Sequence, residues 1–293
     1  MNVQNIVVAV IAGLIVVALA LAARRRRWGD ANIPMPSILR DGLHFVYYLS
    51  LPGQTAQVAD HTSLVWHGQF YGLDALEVEL KGHSHRMVLD CAPQLVRRTS
   101  KGQELSPTAE PDLRALFADM RARGLLSRVA YLTPMDEPNL FAASEQDVVQ
   151  AVAVLKRVAA EFQELAGVRY ICIYGEKAER LWALPEFDVV GIDNYKQKSE
   201  VLTRGAHADL MRKLLPHQQA MVLPGAAYGQ DPAPFVAYAH SEPRCWGVVP
   251  FIWCHVPESA DKEGWKGLQV QGKPEQERYR QAGLLTLAKQ GGV

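Results

Sequence analysis

Two adjacent acids, Asp136 and Glu137, end an apolar run in the stretch YLTPMDEPNL (131–140), and a proline follows at once. Neighbouring carboxylates repel, so each holds its partner's proton to higher pH. That suits a general acid working near neutrality. Other apolar runs also close on polar or aromatic side chains: Tyr47 and Tyr48, His67, Asp90, Tyr174 with Glu176, Asp193 with Tyr195, Tyr228, and Trp253 with His255. Asn139 lies just beyond the acidic pair. Taken singly, each such residue more often only solvates the end of a strand. As a set, acids interleaved with aromatics suit a sugar, whose ring face stacks while its hydroxyls are accepted by carboxylates.

These residues meet only if the chain brings the ends of those runs together. Eight short apolar runs, at 42–50, 63–70, 86–92, 129–135, 169–175, 187–195, 220–228 and 246–254, read as strands covered on both faces. Helical segments alternate with them. The clearest are 110–123 and 144–166, the second with Ser144 as N-cap, Asp147 at the capping-box position and Gly167 as a stop. Segments 209–215, 232–240 and 275–289 are shorter, and the helices after the first, second and fifth strands are weakly marked. Eight alternating units predict an α/β fold of the (β/α)8 TIM-barrel type, whose site gathers at the C-terminal ends of the strands. A doubly wound open sheet is the alternative. It favours a glycine-rich turn after its first strand, where LSLPGQT has one glycine.

The acidic segment resembles the fourth strand of barrel-type glycoside hydrolases. In the large retaining superfamily that strand ends in Asn-Glu-Pro, and here the triplet is Asp136-Glu137-Pro138. FDVVGIDNY (187–195) is similar to the sixth strand of such barrels, and FIWCH (251–255) to the eighth, whose tryptophan often floors a sugar subsite. The resemblance implies a glycan substrate with Glu137 as general acid/base. It departs at the seventh strand: AMVLPGAAYGQ has no acid where the superfamily carries its nucleophile. Substrate-assisted hexosaminidases also place adjacent Asp-Glu on strand four, and there the substrate's 2-acetamido oxygen is the nucleophile. That likeness implies Asp136 as the acetamido partner, Tyr195 or Tyr228 on the acetamido oxygen and Trp253 as a wall. An inverting reaction with Asp193 or Glu176 as base is a further expectation. The substrate-binding set is then Tyr47, His67, Asp90, Asn139, Tyr174, Glu176, Tyr195, Tyr228, Trp253 and His255, with Glu137, Asp136 and Asp193 catalytic. A catalytically inactive carbohydrate-binding or scaffolding barrel is the competing reading, motivated by the missing acid. A metal-dependent hydrolase using His67, Asp90 and His255 is another, although these lack a tight ligand spacing.

The chain of 293 residues has 31 Lys and Arg against 31 Asp and Glu, so its charge points to no nucleic acid. No HExxH or CxxC motif occurs, and neither a cofactor nor a bound metal is expected. Ile6 to Ala23 is uncharged and spans about 27 Å as a helix, close to a bilayer's hydrocarbon thickness. With no basic residue before it and Arg24 to Arg27 after it, an uncleaved single-span anchor into the lipid bilayer is expected. The arginines favour a cytoplasmic barrel, whereas polysaccharide hydrolysis favours a periplasmic or extracellular one. The expected organisation is an anchor at 1–27, a Pro-containing linker at 28–40 and the barrel at 41–293. Cys91, Cys172, Cys245 and Cys254 read as buried free thiols.

Overall fold

In the computed structural model the described residues are 42–49, 53–67, 72–176, 179–193, 202, 205–253 and 266–288. The expected anchor (6–23) and linker (28–40) lie outside them. Among the described residues no helix is long and apolar enough to cross a membrane.

All eight expected strands form. They are β1 (His44–Leu49), β2 (Leu64–His67), β3 (Arg86–Asp90), β6 (Val129–Thr133), β7 (Arg169–Tyr174), β8 (Val189–Ile192), β9 (Gln219–Val222) and β10 (Cys245–Val248). An antiparallel hairpin, β4 (Val96–Thr99) and β5 (Gly102–Leu105), intervenes after β3. The barrel strands close in the order β1-β10-β9-β8-β7-β6-β3-β2, every pair parallel. The open-sheet alternative is thereby excluded.

Alternation divides each strand between two cores. The outward residues, among them Phe45, Tyr47, Val65, Leu89, Cys172 and Val222, pack beneath the helices. The inward residues, among them Val46, Trp66, Val88, Tyr131, Ile171, Met221 and Trp246, fill the lumen. Both sets are buried, which is why the strands read as continuous apolar runs. The lower lumen is plugged: Trp246 Nε1 donates to Tyr131 Oη at 2.8 Å, and the His44 ring lies 4.8 Å from that of Trp246. Cys91, Cys172 and Cys245 are buried free thiols, while Cys254 lies outside the described residues.

Among the described residues the helices are α1 (Thr55–Val58), α2 (Gly72–Leu80), α3 (Ala92–Leu95), α4 (Ala109–Ala122), α5 (Pro138–Phe141), α6 (Glu145–Ala159), α7 (Ala206–Lys213), α8 (Ala233–Ser241) and α9 (Lys273–Ala288). Ser144 caps α6 as expected, accepting from the Asp147 amide at 3.2 Å. This helix ends seven residues earlier than its pattern predicts. Phe162 turns inward there, its ring edge-on to Phe117 at 5.5 Å, and a short 3-10 turn (Gln163–Leu165) follows. The weakly marked segments explain themselves: β1 is followed by the single turn α1, and β7 by the 3-10 turn Leu184–Glu186.

Candidate active site

The upper lumen opens into a cavity of about 100 Å³. Three aspartates from three strands line it: Asp90 ends β3, Asp136 follows β6 and Asp193 follows β8. Tyr48, Trp66 and Phe251 supply aromatic surface, and Thr133, Ile173, Leu223 and Val249 complete the wall. Among the described residues no cationic side chain lines it. Register explains the aromatic side: Tyr48 of β1 stands opposite Trp66 of β2, and Trp66 opposite Val88 of β3, two residues before Asp90. The Tyr48 and Trp66 rings lie 6.2 Å apart.

Burial dominates the electrostatics. Asp90 is 8% exposed, and desolvation pushes its carboxyl up to about 7. The Ala92 amide, which donates to Asp90 Oδ1 at 2.8 Å, pulls the other way, and the Asp136 charge adds to the rise. Burial also raises Asp136, to about 6. Asp136 keeps an exposed face at the cavity mouth although protein packs around it, so it is the more readily ionised of the two.

Glu137 has a different setting. It is half-buried with left-handed backbone (φ 40°, ψ 55°), and its amide donates to the Ile173 carbonyl of β7 at 3.0 Å. Its side chain lies against the end of β7, where a Cβ on Gly175 would come within 2.9 Å of Glu137 Oε1 and 2.2 Å of Leu140 Cδ1. Burial first, then the charges of Asp136 and Glu176, raise Glu137 to about 7. Glu137 is not among the residues lining the cavity; it stands with exposed Glu176 on the rim. Asp136 and Glu137 thus end β6 and Asp193 ends β8, with β7 between them, but only the aspartates face the lumen.

Several expected ligands face elsewhere. Tyr47 and His67 are fully buried on the outer face, one residue out of phase with the lumen. Tyr47 packs edge-on to Trp253 at 5.2 Å, and burial lowers His67 to about 3. Tyr174 is likewise in the outer core, its hydroxyl donating to the Trp182 carbonyl at 2.7 Å. Trp253 is no floor for a sugar: its Nε1 donates to Gln57 Oε1 at 2.9 Å in the outer layer, and Phe251 faces the cavity instead. Asn139 is 2% exposed and clamps Gly175, accepting from its amide at 2.8 Å and donating to its carbonyl at 3.1 Å. Tyr228, 40% exposed after β9, is not a lining residue. Tyr195 and His255 lie outside the described residues. His67 and Asp90 point to opposite faces of the sheet and cannot share a cation, which removes the metal reading as drawn.

Sequence reasoning missed Tyr48 as the β1 choice, Trp66, Leu223 and Phe251. Counting back in twos from Asp90 gives Val88, and parallel pairing carries that phase to Trp66 and Tyr48. The apolar Leu223 occupies the mouth position of β9, where an acid was already missing from the sequence.

Searches of known proteins bear on the fold. No family model matches the chain, and no curated protein matches it. Solved structures do. A Faecalibacterium prausnitzii beta-glucuronidase is similar with a TM-score of 0.61 at 13% identity, over 82% of this chain and 49% of that one. A GH2 beta-galacturonidase from Eisenbergiella tayi gives 0.57 at 10% identity, over 82% and 51%. A glycoside hydrolase family 17 beta-1,3-glucanosyltransferase from Rhizomucor miehei gives 0.54 at 11%, over 80% and 96%. The fold is that of barrel glycoside hydrolases. The chain spans about half the length of the first two of these proteins, and at such identities the likeness concerns architecture alone.

Proposed function

We propose that the chain is a glycoside hydrolase-like enzyme that acts on a glycan at the mouth of its barrel. The observation that carries this reading is the convergence of Asp90, Asp136 and Asp193 with Tyr48, Trp66 and Phe251 in one cavity, beside a rim acid, Glu137, that holds its proton to about 7. In this reading Glu137 protonates the leaving oxygen, while Asp136 and Asp90 hold the sugar. Leu223 supports a mechanism without a strand-borne nucleophile. The oxygen of a 2-acetamido group attacks the anomeric carbon, the glycosidic C–O bond breaks, and the Glu137 proton goes to the departing oxygen. Water then opens the oxazolinium ring and returns a proton to Glu137, with Asp136 steadying the acetamido N–H.

The test is turnover of aryl N-acetylhexosaminides against matched 2-hydroxy glycosides. Substrate assistance requires cleavage of the first set and at least a hundredfold loss in Glu137→Gln. Cleavage of the 2-hydroxy set alone would remove the acetamido step and favour an inverting reaction with Asp193 as base. Leu223 also motivates the second reading, a barrel that binds sugar without cutting it: binding that survives Glu137→Gln with no turnover would select it. We carry the apolar segment 6–23 as a single-span membrane anchor. A C-terminal reporter fusion decides the side, cytoplasmic by the Arg24 to Arg27 flank or outside by the hydrolase reading.

A further inference from the structure

The hairpin β4–β5 leaves the barrel immediately beyond Asp90 and α3, and its closing turn packs on the segment that follows Glu137. Ala143 N donates to the Gln103 carbonyl at 2.8 Å, and a Cβ on Gly102 would fall 2.6 Å from the Phe141 carbonyl oxygen. The hairpin reads VRRTSKGQEL, three cations against one acid, in a chain whose charges cancel overall. Arg97 is paired with Glu104 at 3.4 Å. Arg98 and Lys101 are exposed and make no ion pair among the described residues. Beside them Phe141 is 47% exposed and Leu140 37%. Lysine and arginine on an edge hairpin also discourage pairing with other chains. That role does not account for an aromatic ring left open next to them, on the same rim as the acids.

We propose that this rim, formed by Arg98, Lys101 and Phe141, is a subsite for an anionic polysaccharide. The cations take its acidic groups, and the Phe141 ring takes the apolar face of a sugar. The inference rests on the glycan reading above and sharpens it by naming the substrate class.

The full chain in detergent is titrated with an alginate oligosaccharide, a sulfated heparin oligosaccharide, an uncharged cello-oligosaccharide of equal length and polyglutamate. Two exposed ion pairs predict that the acidic sugars bind roughly tenfold more tightly than the neutral one. The preference should shrink as salt is raised. Arg98→Glu with Lys101→Glu should abolish it, and Phe141→Ala should weaken the acidic sugars while leaving polyglutamate unchanged. Equal binding of the neutral oligomer, polyglutamate binding as tight as alginate, or a preference that survives charge reversal would each overturn the proposal. The alginate and heparin arms tell carboxylate from sulfate as the group taken. Cleavage of neutral glycans with no acidic preference would sink this subsite and leave the hydrolase standing. Acidic-sugar binding without turnover would do the reverse.

Discussion

Asp90→Asn is the most informative substitution. Asp90 is nearly enclosed, and desolvation lifts its carboxyl from an ordinary value of 3.8 to about 7. Between those values the folded chain holds a proton that the unfolded chain has released. Folding therefore takes up a proton, and stability falls as pH rises through that window, levelling off above 7. A difference of roughly three pH units corresponds to about 4 kcal/mol of stability lost between pH 4 and pH 7. Asparagine keeps the side-chain oxygen that accepts from the Ala92 amide. It also removes the charge that the cavity cannot solvate. The variant should match the parent near pH 4 and exceed it by about 4 kcal/mol at pH 8. Urea unfolding at pH 4.5, 6 and 8, with equal m-values, reads this directly. A variant that is less stable at pH 8, or a difference independent of pH, would refute the reasoning. The first result would mean that Asp90 is ionised in the fold and held by a partner charge, the second that folding leaves its titration unchanged.

Gly175→Ala should displace both Leu140 and Glu137, because its Cβ would meet both side chains. Glu137 should then titrate below its present value of about 7, followed by carboxyl carbon NMR, and adding Leu140→Ala should restore part of the shift. Glu176→Gln should move the same midpoint down, since the Glu176 charge helps to raise it. Asn139→Ala removes two hydrogen bonds and orphans the buried Gly175 amide, for a loss of about 2–4 kcal/mol. For a domain of this size that is a fall in Tm of roughly 5–12 °C, checked by thermal unfolding.

The barrel was legible because eight apolar runs punctuated by helices leave few alternatives. The phase within each strand was not. Parallel strands buried on both faces show no polar alternation, so Tyr47 and Tyr48, or Trp66 and His67, look equivalent until the register is known. Where an acid sits in the run, as Asp90 does, its cost of burial marks the lumen, and there the sequence reading and the structure agree. Asn139 misled for another reason: a polar side chain beside two acids looks like a ligand, yet its partner is the backbone of the next strand. The hairpin escaped notice because its strands are four residues each and largely polar.

The plug of Trp246, Tyr131 and His44 gives the lumen a closed floor, with Arg169 lying over the Tyr131 ring at 5.7 Å. Among the described residues the cavity is therefore closed below and open at its mouth. Within those residues, a ligand seated against Trp66 and Asp90 leaves by the route it entered, past Asp136 and the rim. Residence time at the bottom and traffic across the rim become one quantity, so product clearance and the next arrival compete for the same opening.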